Sequence, residues 1–283
     1  MNSFIGAGKV GTALGVYFKQ KGCEIAGYYS RTSQHAETAS RLTSSEVFTN
    51  IQDLLQRSSM VWITVTDDAL ETVANDIATM DIPPHIKAFI HTSGVHSSEI
   101  LSSIHKKGVA TYSLHPLMAF GTVNESVEQL RDAYFSLEFV SNSSSEDNNK
   151  TVIDNLLATI GNKTLNINTD KKELYHCAAS VLSNYMVTLL NVAYEMFEEA
   201  GMNKSEIKKA TAPLLRSTIM NVETHENMSD ALTGPIKRGD KTTVIKHLEA
   251  LGNYMPSKTA LYRELGKETM EMLKDYRLKD VLF

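Results

Sequence analysis

Asn2–Val16 reads NSFIGAGKVGTALGV, and this stretch decides the fold. A short apolar run, Phe4–Ile5, leads into Gly6-Ala7-Gly8-Lys9-Val10-Gly11. Small and apolar residues at helical spacing follow: Thr12, Ala13, Leu14, Val16 and Phe18. The order is strand, tight turn, helix. The first glycine of such a motif lets the chain turn sharply out of the strand. The second leaves the backbone bare for a pyrophosphate, and the third lets helix and strand pack closely. Phosphates then meet the helix N-terminus, where unpaired N–H groups and the dipole favour anions. The spacing predicts a dinucleotide-binding turn made by Gly6, Gly8, Lys9, Val10 and Gly11.

Outward from that turn, strands and helices alternate. Cys23–Tyr29 is a second apolar strand ending at Ser30-Arg31-Thr32. A carboxylate at this place would bind the 2′-hydroxyl of NAD and repel a 2′-phosphate. A cation between two hydroxyls instead favours NADPH. Met60–Val65 is a continuous apolar run, as expected of a parallel strand buried on both faces. It ends at Thr66-Asp67-Asp68, which puts Thr66 and Asp67 at the cofactor groove and makes Asp68 the cap of the next helix. Ala88–Ile90 ends in His91-Thr92-Ser93-Gly94, and Val109–Ser113 ends in Leu114-His115-Pro116-Leu117. Two successive histidine-bearing turns on the ligand-binding edge point to the site: His91 and Ser93 beside the cofactor, His115 beside the chemistry. Tyr134–Val140 and Lys163–Ile167 read as further strands, with Ser141–Asn149 an exposed polar loop. This alternation predicts an α/β domain with a parallel sheet over residues 1–168.

From Lys171 onward the strand signal stops. Helical patterns cover Lys172–Ala200, Ser205–Val222, Ser229–Leu232, Thr242–Tyr254 and Ser257–Lys274, an all-α domain over residues 169–283. The first of these helices carries Lys172, His176, Ser180, Ser183, Asn184, Thr188 and Asn191 on one face. Leu174, Val181, Leu182, Tyr185 and Leu189 lie opposite. A stripe of short neutral hydrogen-bonding groups suits a polar cleft better than a solvated face. His176 is then the first choice for a general acid and His115 the second, with Ser180 and Asn184 bonding substrate oxygens. Leu232–Asp240 (LTGPIKRGD) is a rigid turn whose Thr233, Arg238 and Asp240 are candidate substrate-binding residues. Arg238 has the fork to clamp a carboxylate, while Asp240 also suits a helix cap.

Composition sets the remaining limits. The formal charge of −5 is spread over both signs, with no basic patch for nucleic acid or an anionic membrane. The two cysteines, Cys23 and Cys177, read as small core residues and make neither a metal cluster nor a disulfide framework. A strand starting at the second residue leaves no room for a signal peptide, and Asn184, Asn191 and Glu195 argue against a membrane span over Ala178–Phe197. A cytoplasmic protein is expected. Met186, Val187, Leu190 and Ala193 extend the apolar surface beyond one stripe, which predicts a homodimer through the helical half.

GAGKVG at Gly6–Gly11, HTSG at His91–Gly94, LHP at Leu114–Pro116, YHCAASVLSNY at Tyr175–Tyr185 and LTGPIKRGD at Leu232–Asp240 run the length of the chain. Together they resemble the family that joins a Rossmann-like domain to the helical domain DUF2520. That family is related to 6-phosphogluconate dehydrogenase, the β-hydroxyacid dehydrogenases and pyrroline-5-carboxylate reductase, and some members are alternative ketopantoate reductases. The resemblance implies an NADPH-dependent reductase of a small 2-oxo acid, with 2-dehydropantoate the first choice, and a dimer through the helical domain. A cyclic-imine reductase and a non-catalytic NADPH sensor are the alternatives. In β-hydroxyacid dehydrogenases the interdomain helix presents a Lys and an Asn four residues apart. Here His176, Ser180 and Asn184 occupy those spacings, with no Lys one turn before Asn184.

Overall fold

Residues Asn2–Ile5 form β1, all four buried, in the interior of an eight-stranded sheet. The computed structural model describes residues 1–139 and 146–283. The sheet also contains β2 (Ile25–Tyr29), β3 (Glu46–Phe48), β4 (Met60–Ile63), β5 (Ala88–His91), β6 (Ala110–Pro116), β7 (Phe135–Phe139) and β8 (Thr164–Asn166). Their order is β3-β2-β1-β4-β5-β6-β7-β8. Strand order reverses between β1 and β4, so a crevice opens at their carboxyl ends, where α/β sheets of this kind bind ligands.

Helices α1 (Lys9–Gln20), α2 (Ser33–Thr43), α3 (Ile51–Gln56), α4 (Asp67–Thr79), α5 (Ser102–His105), α6 (Val123–Gln129) and α7 (Glu146–Ile160) connect the strands. Alternate strand residues face opposite layers. On one face Phe4 stacks on Tyr28 at 5.0 Å, and Phe18 of α1 meets Trp62 at 4.9 Å. On the other, Ile5, Val61, Ile63 and Phe89 pack with Leu70 and Ile77 of α4. Both faces are apolar, which is why β4 reads as an unbroken hydrophobic run.

Three expectations need correction. β7 runs antiparallel to β6, so the sheet is not wholly parallel. β6 continues through Pro116, with His115 opposite Ser136 and Pro116 opposite Phe135, so His115 sits on a strand rather than in a turn. Antiparallel pairing with β7 carries the ladder past the point where a parallel strand would have ended. The polar run after β7 was expected to be a loop to Asn149, but α7 already begins at Glu146; Val140 and residues 141–145 lie outside the described residues.

Two compact units divide between Asn184 and Tyr185. Helix α8 (Lys172–Ser180) and all but the end of a π-helical segment, Val181–Tyr185, therefore belong with the sheet. Lys172 explains why: it is fully buried, and its Nζ donates to Ser113 Oγ on β6 at 2.6 Å. The second unit contains α9 (Met186–Glu199), α10 (Lys204–Thr224), α11 (Met228–Ala231), α12 (Pro235–Arg238), α13 (Lys241–Tyr254), α14 (Thr259–Leu273) and α15 (Lys279–Leu282). Val244, Met270, Leu278 and Leu282 form its small core. The helical run Thr169–Glu199 is long and apolar enough to cross a membrane by length and composition, yet only 6% of its most apolar window is buried within the chain. Cys177 on this run is exposed, not a core residue, because none of the described residues buries it.

The glycine turn is held by close contact. A Cβ on Gly11 would overlap Thr64 Oγ1 and the Gly6 carbonyl, so α1 reaches β4 only with glycine here. Gly11→Ala should lower stability by about 1–3 kcal/mol through overpacking, offset only in part by a helix-propensity gain of under about 1 kcal/mol. Urea unfolding checks this: a midpoint equal to or above wild type would refute the close-contact account.

Candidate functional site

The turn from β1 to α1 is shaped for an anion. Gly6 has φ +104°, a left-handed conformation that favours glycine, and Thr64 Oγ1 donates to its carbonyl at 2.7 Å. Thr12 Oγ1 donates to the Ala7 carbonyl at 3.2 Å and ties the turn from the other side. A Cβ on Gly8 would meet nothing within 4 Å, so the backbone there faces open space. Gly8 is also the N-cap of α1, with no side-chain cap and no acidic residue in the first turn. Lys9 is exposed and Val10 half-buried. A bare helix N-terminus beside an open cradle fits a dinucleotide pyrophosphate.

Ser30, Arg31 and Thr32 follow β2 at the same edge; Arg31 is exposed and, among the described residues, makes no ion pair. At the end of β4, Thr66 is the N-cap of α4, with Asp67 and Asp68 in its first turn, which corrects the assignment of Asp68 as the cap. Thr66 and Asp67 are both exposed there.

His91 does not face the groove. Its ring is fully buried; Nδ1 accepts from the Ser93 N–H at 3.2 Å, and Nε2 lies 3.1 Å from the Ser97 carbonyl. Burial, reinforced by the Lys172 charge, lowers its pKa to about 3, so the ring is neutral and donates through Nε2. Ser93 Oγ in turn accepts from the Val95 and His96 N–H groups. The His91 and Ser93 side chains thus fold the turn after β5. The turn then presents Gly94, where a Cβ would lie 2.6 Å from His176 Cδ2 and 3.0 Å from His115 Nε2. Only glycine admits both imidazoles so close to this backbone.

Those two imidazoles open into a cavity of about 400 Å³. His115, His176, Ser180, Ser183 and Asn184 supply its polar groups, and Leu117, Met118 and Phe120 part of its apolar wall. Strand β6, helix α8 and the π-helical segment thus bring together the four residues singled out for chemistry. The π-helical turn, a feature frequent at functional sites, lets residues from Ala179 to Asn184, except Val181, line one wall. His115 Nδ1 lies 2.8 Å from Tyr175 Oη, and the rings meet edge to face. Burial first, then the Lys172 charge, lowers the His115 pKa to about 4; Asp67 acts in the opposite sense.

Beneath the cavity is a buried polar group the sequence did not reveal. Glu138 on β7 accepts from the Ser98 N–H at 3.0 Å and from Ser98 Oγ at 2.8 Å. Lys172 Nζ lies 3.7 Å from Glu138 Oε2. Lys172 is visible in the sequence as part of the polar stripe, but its partners come from β6, β7 and the turn after β5, and no spacing rule links them. Tyr175 adjoins His176 in sequence, but its pairing with His115 joins α8 to β6 and no local spacing shows it.

Thr233, Arg238 and Asp240 lie in the second compact unit. The Asp240 carboxylate caps α13, accepting from Thr243 N at 3.1 Å and Thr243 Oγ1 at 2.7 Å, as its reading as a helix cap expects. Thr233 and Arg238 are exposed. Arg277 donates to the Arg238 carbonyl at 3.1 Å and packs on Gly239, a support the sequence did not suggest.

A Rossmann-like domain model matches residues 2–116, and the domain of unknown function DUF2520 matches residues 139–269. No curated protein matches the chain. Among solved structures it is similar to protein TM1727 from Thermotoga maritima, with 25% identity, TM-score 0.74, and 97% of this chain and 98% of that one covered. It shares its fold with a 1-pyrroline-5-carboxylate reductase from Streptococcus pyogenes, at 16% identity and TM-score 0.64, covering 95% and 96%. It does so too with an imine reductase from Myxococcus stipitatus in complex with NADP+, at 13% identity and TM-score 0.59, covering 96% and 94%. With the one model over residues 2–116 and the other over residues 139–269, the chain belongs to the family that couples a Rossmann-like domain to DUF2520.

Proposed function

We propose that this protein is an NADPH-dependent reductase acting on the C=O group of a small 2-oxo acid, with 2-dehydropantoate the first candidate. The observation that carries this reading is the single cavity lined by His115, His176, Ser180 and Asn184, in the same compact unit as the glycine turn. The fold-level likeness to reductases, one of them in complex with NADP+, supports it. Gly6, Gly8, Lys9, Val10 and Gly11 would hold the pyrophosphate, and Ser30, Arg31 and Thr32 the 2′-phosphate. When bound, the cofactor supplies hydride. The chain's own part is to orient the carbonyl, stabilise negative charge on its oxygen and deliver a proton. Ser180 and Asn184 hydrogen-bond substrate oxygens. His176 gives the proton, because His115 is held neutral far below the working range. A cyclic-imine substrate is the second reading: His115 is held neutral, and an imine needs less acid help.

We further propose that the working form is a homodimer through the helical half. Leu174, Leu182, Tyr185 and Val187 are each more than 60% exposed. A cleft of about 710 Å³ lined by Met196, Leu251, Tyr254 and Met255 adds to this uncovered apolar surface. Patches of this kind on a single chain mark association surfaces.

The cofactor assignment predicts tighter binding of NADPH than NADH. Arg31→Ala should weaken NADPH alone by roughly 10-fold or more, the loss of a hydrogen bond to a charged group; fluorescence titration reads this, and equal wild-type affinities would count against it. Asn184→Ala should lower kcat by about 100-fold with cofactor binding intact. His176→Ala should flatten the pH profile of kcat, whereas His115→Ala should lower kcat and keep its pH dependence. NADPH oxidation measured across 2-oxo acids and cyclic imines separates the two substrate classes, and unchanged turnover in all three variants would move the active site elsewhere. Light scattering at micromolar protein should give twice the chain mass; a monomer would refute the assembly.

A further inference from the structure

A histidine's role depends on which ring nitrogen carries the proton, and here the surroundings of His115 decide it. Nδ1 is taken by the Tyr175 hydroxyl at 2.8 Å. Nε2 is left for the cavity, and among the described residues no hydrogen bond engages it. Gly94 keeps it uncovered, since a Cβ there would sit 3.0 Å away. An imidazole nitrogen is a stronger acceptor than a phenol oxygen, so the Tyr175 O–H donates to Nδ1. The buried Ser136 hydroxyl, opposite His115 in the β6–β7 register, makes no hydrogen bond among the described residues and acts to lower the Tyr175 pKa against its burial, so its proton is free to turn toward the phenol oxygen. With Nδ1 accepting, the proton of the neutral ring is on Nε2.

Charge acts in the same direction. Lys172 is buried beneath β6, bonded to Ser113, which lies two residues before His115 and therefore on the same face of the strand. His176 from α8 faces the ring as well, and buried His91 lies on β5. Asp67 from α4 opposes them, and Glu138 from β7 is already engaged by Lys172 and Ser98. A fixed ammonium beside a buried imidazole disfavours a second positive charge.

We propose that Tyr175 and Lys172 are positioning residues that hold His115 as the neutral, Nε2-protonated tautomer, a hydrogen-bond donor aimed into the cavity. A substrate oxygen gaining negative charge would be met by an N–H that keeps its proton, while His176 supplies the transferred one. This deepens the function proposed above and rests on it for the identity of the acceptor, but the state of the ring does not.

Nitrogen-15 NMR of the histidine-labelled full-length protein tests it without substrate. The His115 resonances, assigned by their loss in His115→Ala, should show a protonated Nε2 and an unprotonated Nδ1, unchanged from pH 8 to pH 5.5. Tyr175→Phe should give a mixture of tautomers with the rest of the spectrum preserved. In the double variant Lys172→Met/Glu138→Gln, which leaves neither buried charge alone, the His115 midpoint should rise from about 4 towards the ordinary histidine value. A proton on Nδ1 in the wild type, ordinary titration of His115, or an unaltered tautomer in Tyr175→Phe would each overturn the proposal. The wild-type spectrum alone is decisive if the double variant fails to fold. A protein that oxidises NADPH with no 2-oxo acid or imine would sink the proposed function and leave this spectroscopic test standing.

Discussion

The buried Lys172 ammonium is the interaction on which the site depends. An unpaired charge in that position would be prohibitively costly, so Ser113 and Glu138 have to meet it, and they come from adjacent strands. Glu138 is available there because β7 runs antiparallel and sets it opposite Ser113. Glu138 also holds the Ser98 N–H and hydroxyl, which fixes the far end of the turn carrying Gly94. One ion pair therefore locates three pieces of backbone: the last part of β6, the turn after β5 and the first turn of α8. His115, Gly94 and His176 are where those pieces meet.

The glycine turn and the cavity obey different economies of space. At Gly11 and Gly94 a methyl group would collide with Thr64 or with two imidazoles, so glycine serves close approach. At Gly8 a methyl group would meet nothing, so glycine serves what comes from outside the chain. Glycine is thus required at one position by the fold and left open at another for a ligand.

Much of the fold was legible because its signals are local. The glycine spacing, the apolar run at Met60–Val65 and the cap at Asp240 each lie within a few residues; the strand in that run spans Met60–Ile63 and the helix after Asp240 spans Lys241–Tyr254. The polar stripe was legible in part: helical spacing joins His176 to Ser180, while the π-helical segment brings Asn184, and with it Leu182 that spacing puts opposite, to the same cavity. What was missed depends on distant partners. The reversal of β7 follows from pairing with β6, not from its own five residues. His91 and His115 look alike at the ends of successive strands, yet one ring is consumed by its own turn and the other opens to a cavity. Ser93 and Ser97 of its own turn take up the His91 ring, whereas Tyr175 from α8 meets His115 and leaves its other nitrogen to the cavity.

The π-helical segment Val181–Tyr185 changes how this chain should be compared with others. A π turn holds more residues than an α turn, so it amounts to one extra residue within the helix. Aligned on ordinary helical turns, a relative whose helix is regular throughout falls out of phase by one position beyond Val181. A shift of one position does not supply a Lys one turn before Asn184, since Ala179, Ser180 and Val181 stand there. Residues before the segment, Lys172 to Ser180, belong to one phase, and Ser183 and Asn184 to the next. Equivalence across this helix has to be judged from superposed backbones on each side of the segment separately.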